Sequence, residues 1–373
     1  MTRRELLALA GALPIASLYA APAAKTVSVA KVGSYNEDLV PTLNTMFDQL
    51  GGLAKIVRNK TVTVKLNLTG SPGLRFQGKP LGITHYTHPK VVMATAHLMG
   101  EAGAKRIRFV ESGWALSGPL EDYLLDSGWN VRQLANAAPN VEFENTNNLG
   151  KGKTYSRLKV PGKAFIFPAY DLNHAFEDTD VFVSMAKLKN HATCGVTLSM
   201  KNCFGITPAS IYGDDAGEFG PNEKPTSGRV TAMHEGKRKP SKSAPQELDP
   251  NSSRFAGYRM PHIVAELITA RPIDLAIVDG IESIAGGEGP WNKGIRLVQP
   301  GMLVAGTNAV NTDTVCTALM GYNPRALKGT PPFTNCDNTL LLAEELGAGS
   351  AELSRIEVAG VPIAKAIYNF DRV

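Results

Sequence analysis

Lys187, Lys189 and His191 occupy alternate positions directly after the apolar run Val181-Phe182-Val183. Alternate residues of an extended chain share a face. The spacing therefore predicts three cationic or ionisable groups projecting together from a strand end. Lys201 and Asn202 follow, one helical turn after Thr197, in a stretch flanked by Gly195 and Gly205. A lysine ammonium binds carboxylate or phosphate, a desolvated lysine acts as a base, and an imidazole exchanges protons near neutral pH. The chemistry these residues predict is recognition of a small anion with acid–base action upon it. The competing reading is a solvated loop rim, because charge runs are mostly solvent-facing. The apolar strand leading in and the two glycines favour a site.

The same placement recurs along the chain. Lys65 and Asn67 end one apolar run, Glu111 ends another, and Asp279 a third. Gly287, Glu288 and Gly289 lie in a glycine-rich loop after the Asp279 strand, where glycine permits close backbone approach to a ligand. On this basis Lys189, His191, Glu111 and Asp279 are read as catalytic. Lys65, Asn67, Lys187, Lys201, Asn202, Gly287, Glu288 and Gly289 are read as ligand-binding. Asp279 before Gly280 equally suits an Asx turn, and Glu111 a loop contact with Ser112. Asn308 and Asp313 read as helix-capping residues. No H-E-x-x-H is present, and the His85-x-x-His88 pair lies in a Gly- and Pro-rich loop, so no metal site is predicted. A divalent ion held by Glu288, Asp279 and His191, and a bound organic cofactor, both stay open.

These residues need elements to hold them. Apolar, β-branched stretches predict strands over 61–68, 106–111, 181–184, 273–278 and 302–305. Helical spacing predicts helices over 89–101, 119–126, 261–269, 311–320 and 337–346. Strands alternating with helices predict an α/β fold, a mostly parallel sheet with helices on both faces. The carboxyl ends of such strands converge on one edge, where ligands bind. The polar stretch 212–259 reads as a long insertion loop: a lid, a binding loop or a disordered segment. One domain over 24–373 is expected.

Composition narrows the functional classes. Hydrophobic residues make up 43% of the 373, enough for a large core. A formal charge of +5, with basic residues spread along the chain, predicts no nucleic-acid partner. Arg3-Arg4, the apolar run from Leu6 to Leu13 and the small-x-small Ala21-Pro22-Ala23 read as a twin-arginine signal peptide over 1–23. The twin-arginine machinery is then an expected partner and the periplasm the expected location. No run of about 20 apolar residues predicts a membrane span in the mature chain. Cys194, Cys203, Cys316 and Cys336 lack C-x-x-C spacing, so no iron–sulfur cluster is predicted. Cys194 and Cys203 could pair in an oxidising compartment, but buried thiols are the favoured reading.

The run VSMAKLKNHATCGVTLSMKNCFG closely resembles the signature of the bacterial domain-of-unknown-function 362 family, with Ala186 and Asn190 where proline and threonine are usual. Val62-Thr63-Val64-Lys65-Leu66-Asn67, Val110-Glu111-Ser112, the stretch Leu275 to Ile281 and the stretch Leu303 to Asn308 match in order. The resemblance is to members without the ferredoxin-like cluster domain that some carry. It implies a fold more firmly than an activity. A fainter, order-based resemblance to the lactate racemase family implies an isomerase with a nickel-containing nucleotide cofactor. Three functions follow as expectations: an exported enzyme acting on a small anion, a non-catalytic ligand-binding or maturation protein, and a lactate-racemase-like isomerase.

Overall fold

The computed structural model describes residues 26–114 and 117–371. The signal-peptide reading at 1–23 lies outside them. Eight strands form the main sheet: β1 (Thr26–Lys31), β2 (Thr61–Lys65), β3 (Arg106–Glu111), β4 (Val141–Asn145), β5 (Val181–Lys187), β6 (Leu275–Gly280), β7 (Met302–Gly306) and β8 (Glu357–Gly360). Their order is β8-β1-β7-β6-β5-β2-β3-β4. Every neighbouring pair is parallel except the two made by β7, which runs against β1 and β6. The fold is thus α/β with a mostly parallel sheet. The reversal of β7 has a local cause. Parallel neighbours need a crossover, usually a helix laid across one face, and a connection that folds back as a ribbon instead returns the chain antiparallel. Between β6 and β7 the chain makes only a small ribbon, Ser283–Ala285 against Arg296–Val298.

Alternation along β5 divides its side chains between two apolar layers. Phe182 and Ala186 join one layer; Val181, Val183 and Met185 join the other. Burial on both faces explains why these strands read as continuous apolar runs. Helices α1 (Leu39–Gln49) and α2 (Pro89–Glu101) pack on the Val183 side. Helices α3 (Leu198–Asn202), α4 (Ala256–Ala270), α5 (Ala309–Leu319) and α6 (Thr339–Glu345) pack on the Phe182 side.

Two helices depart from expectation. Spacing predicts α4 to open at Pro261, but it opens at Ala256 with Pro261 inside. An internal proline cannot donate to the carbonyl four residues back. Here that carbonyl, Gly257 O, accepts the Asp337 amide at 2.8 Å, so the bond is replaced from outside the helix. In α5, Asn308 is the N-cap, its side chain accepting from Asn311 N. Asp313 lies inside α5 and caps α3 instead: its carboxylate accepts from Ser199 N (2.9 Å), Ser199 Oγ (2.5 Å) and Met200 N (2.8 Å). Leu198, which opens α3, is buried at φ 47°, a left-handed conformation uncommon for leucine. The Asp313 contacts hold this strained turn in place.

The insertion 212–259 is pinned to the body. Arg229 donates to Thr207 O (2.7 Å), Asn147 Oδ1 (3.0 Å) and Ser112 O (3.2 Å). Arg259, fully buried, pairs with Glu247 at 2.7 Å, and Leu248 N bonds Ile166 O. All four cysteines are buried free thiols, and burial pushes those of Cys194 and Cys203 up to about 12. No helix among the described residues is long and apolar enough to cross a membrane.

Candidate functional site

A cavity of about 550 Å³ opens at the carboxyl ends of β2, β3 and β5. Its ionisable lining is Lys65, Glu111, Lys189, His191, Lys201, Arg229, His234 and Glu288. Asn67 and Asn202 line it too. Of the residues read as site residues, the structure therefore brings Lys65, Asn67, Glu111, Lys189, His191, Lys201, Asn202 and Glu288 together.

Lys65 and Glu111 end adjacent parallel strands and pair at 2.5 Å, both buried. Lys65 Nζ also donates to Leu66 O (2.6 Å) and Asn202 Oδ1 (3.1 Å), and Glu111 accepts Leu68 N at 2.9 Å. Burial pulls the Lys65 pKa down and the Glu111 pKa up, and each group's charge on the other opposes this. Gly205 sits over the pair; a Cβ there would lie 2.8 Å from Lys65 Nζ. Asn202 ties β2 to β5: its amide nitrogen donates to Lys65 O, Ser184 Oγ and Met185 O, and its oxygen accepts from Lys65 and Asn67. Its hydrogen-bonding capacity is spent on the scaffold.

Lys187 and Asp279 stand apart from this lining. They pair with each other at 3.0 Å, fully buried. The register sets this pairing, because Asp279 is the β-partner of Lys187. Both continue the alternation of Val183, Met185 and Ile277, facing the layer opposite to α3. Lys187 also donates to Tyr35 Oη (2.8 Å) and Gly82 O (2.6 Å). Asp279 accepts from Tyr35 Oη (2.7 Å), His88 N (2.9 Å) and Ile281 N (3.2 Å). The cluster is a saturated strut joining β5, β6 and the chain before α1 and α2. Strand β5 ends at Lys187, so the alternation does not carry through Lys189 and His191.

Lys189 Nζ is fully buried and donates to a single acceptor, His85 O, at 2.6 Å. Among the described residues no carboxylate lies within 4 Å of it, and Glu288 acts from farther away. Burial, reinforced by Lys187 and Lys201, holds its pKa well below the usual lysine range. Lys201 likewise has no carboxylate partner among the described residues; its ammonium sits 4.5 Å from the centre of the Phe204 ring, and burial lowers its pKa. Arg229 stacks 5.4 Å from the same ring, its pKa lowered by burial to about 10. His234 meets Phe204 edge-on at 5.1 Å, and burial with Lys201 holds it neutral, with a pKa of about 3.

His191 Nδ1 accepts the Thr193 amide at 3.1 Å, which leaves the proton of the neutral ring on Nε2. Burial and Lys201 hold that ring neutral. Glu288 lies 3.8 Å from His191 Nδ1. Burial would raise its carboxyl, but the hydrogen bonds it accepts from the Ala192 amide (2.9 Å) and the Trp291 indole N–H (2.9 Å) outweigh it and hold the pKa near 2. Gly287 and Gly289 do not touch the cavity. A Cβ on Gly289 would meet the Trp291 ring at 2.2 Å, and one on Gly287 would meet Asn292 at 2.5 Å. Their role is to let the loop fold Trp291 and Glu288 inward. Among the described residues no group of three or more His, Cys, Asp or Glu side chains could hold a metal ion; Asp279 points away from His191 and Glu288.

Sequence reasoning missed Arg229 and His234, which the polar insertion brings to the wall, and Trp114, Phe204 and Trp291. Trp114 follows Glu111 by three residues and shares its strand-end position, a signal that could have found it. With Lys189 and both histidines neutral, the lining carries one net positive charge; a charged Lys189 makes it two.

An α/β sheet with its ionisable residues gathered at the carboxyl ends of parallel strands defines the class. The chain belongs to the domain of unknown function 362 family, whose model matches residues 62–318, from β2 into α5. It is also similar to the thylakoid-associated protein sll1697 of Synechocystis sp., at 26% identity over 305 residues, covering 81% of this chain and 77% of that one.

Proposed function

We propose that this protein is an enzyme that binds a small anion, a carboxylate or phosphate, in the cavity and exchanges a proton with it. The observation that carries this reading is the pair Lys201 and Arg229, two cationic side chains on the cavity wall with no carboxylate of the described residues within ion-pair distance. A buried charge without a counterion is expensive, and an anionic ligand supplies the counterion. Lys189, a buried amine, is the proton acceptor. The His191 Nε2–H stabilises developing negative charge on the ligand. Lys65 and Glu111 hold each other and shape the floor. The leader motif supports action in the periplasm after twin-arginine export.

The test is titration of the purified chain with inorganic phosphate and simple carboxylates by calorimetry. Removing one charge-assisted contact costs about 1.5–3 kcal/mol, so Lys201→Met and Arg229→Met should each weaken binding by about ten- to a hundredfold. Unchanged affinity in both refutes the anion site. Solvent deuterium appearing on the bound carboxylate, followed by NMR, identifies an enzyme. Tight binding with no exchange identifies a non-catalytic carrier.

A further inference from the structure

The buried lysines differ in a way their positions alone do not reveal. Lys65 Nζ meets three acceptors, one of them a carboxylate, and Lys187 Nζ meets three, again including a carboxylate. An ammonium has three hydrogens to place, and both sites place all three. Lys189 is equally buried, yet among the described residues it has one hydrogen-bond acceptor, a carbonyl, and no carboxylate in contact, Glu288 opposing its desolvation only from farther away. That environment suits a neutral amine, which donates one hydrogen to His85 O and keeps its lone pair unengaged. Lysines desolvated beside other cations are nucleophiles toward carbonyl carbon, and Lys187 and Lys201 are the neighbouring cations.

The cavity around this amine has two further parts. Lys201 and Arg229 lie on the wall. At the mouth, Trp114 (51% exposed), Trp291 (46%) and Val230 (51%) form an apolar rim. A ligand fitting all three parts carries a carbonyl for Lys189, an adjacent carboxylate for the wall and an apolar substituent reaching the rim.

We propose that Lys189 forms an imine with the keto group of an apolar 2-oxo acid whose carboxylate is held by Lys201 and Arg229. The assignment rests on the anion-binding reading for the carboxylate alone, and it replaces the proton-acceptor role of Lys189 with a nucleophilic one. In the step, the Nζ lone pair forms the C–N bond and the carbonyl π electrons move to oxygen. Both amine hydrogens then leave with that oxygen as one water, and the C=N bond forms. No oxidant or cofactor is needed.

The experiment treats the full chain with phenylpyruvate and sodium borohydride, then maps the adduct by peptide mass spectrometry. Phenylacetaldehyde supplies a carbonyl without carboxylate, and phenylacetate a carboxylate without carbonyl. The expected result is a mass gain equal to the oxo acid less one oxygen, on the peptide holding Lys189. It should be suppressed by phenylacetate, absent in Lys189→Arg, and slowed about tenfold or more by Lys201→Met. No adduct, or an adduct spread over surface lysines and undiminished in Lys189→Arg, overturns the proposal; the mapping of the unaltered chain decides this even if the variant misfolds. Phenylacetate binding with no phenylpyruvate adduct ends the imine while the anion site stands. Equal labelling of Lys189 by phenylacetaldehyde and phenylpyruvate, indifferent to Lys201→Met, overturns the carboxylate part and with it the anion site.

Discussion

Asp279→Ala should be among the most damaging single substitutions in this chain, and the damage should be to stability. Asp279 is fully buried and accepts four hydrogen bonds, from Lys187, Tyr35, His88 N and Ile281 N. Its removal leaves the Lys187 ammonium buried with only Tyr35 Oη and Gly82 O around it. Breaking a buried pair from one side costs roughly 3–5 kcal/mol, a hundred- to several-thousand-fold change in the folded-to-unfolded ratio at about 1.4 kcal/mol per tenfold. Urea unfolding followed by circular dichroism reads this as a lower midpoint at unchanged slope. Lys187→Met should cost less, because the Asp279 carboxylate keeps three other donors. The double variant Lys187→Met/Asp279→Leu should recover much of the loss, since apolar replacement of a whole buried pair is often neutral or better. A loss under about 1 kcal/mol for Asp279→Ala, the range of an exposed pair, would refute the strut and reopen Asp279 as a ligand contact.

Glu288 is held near 2, below its ordinary 4.5, so its folded pKa is depressed. The stability it contributes is fully present above about 4.5 and is lost as pH falls toward 2; Glu288→Gln should flatten the acid limb of a thermal-melting profile in that window and leave the neutral limb parallel. Gly205→Ala places a Cβ 2.8 Å from Lys65 Nζ and 3.0 Å from Glu111 Oε1. It should cost roughly 1–3 kcal/mol by overpacking and weaken phosphate binding, and full stability with full binding would show that the pair can shift freely. Replacing Arg3-Arg4 with Lys-Lys should leave the protein in the cytosolic fraction, and normal periplasmic recovery would end the twin-arginine reading.

The legible parts of the fold are those where one physical signal dominates. Strand β3 and helix α2 match their expected spans to the residue, because an apolar run or a proline-started helical spacing reports burial directly. Strand β8 was not anticipated: it is four residues long, edge-placed and partly exposed, too short for alternation to register. The direction of β7 depended on the compactness of the 283–298 ribbon, which glycine content alone does not reveal. At the site, strand-end placement brought Lys65, Glu111, Lys189 and His191 into one cavity, joined there by Lys201 from α3 and Glu288 from the glycine-rich loop. It also collected Lys187 and Asp279, because strand-end position says nothing about which face a residue takes; register decides that. Arg229 and His234 were invisible because composition distinguishes a polar stretch from an apolar one but not a pinned wall from a free loop.

The cavity wall is drawn from residues as far apart in sequence as Lys65 and Trp291. The lining joins the ends of β2 and β3, the stretch after β5, α3, the 212–259 insertion and the loop holding Glu288 and Trp291, and bringing such separate pieces together is slow on entropic grounds. Ligand competence should therefore be the last property acquired during refolding, arriving after the sheet and both layers are in place. A ligand signal is then a stringent reporter of completed folding, and a ligand added early has no partly formed site to grip. On the twin-arginine route proposed above, which carries folded cargo, this would separate a loaded molecule from an incompletely folded one before translocation.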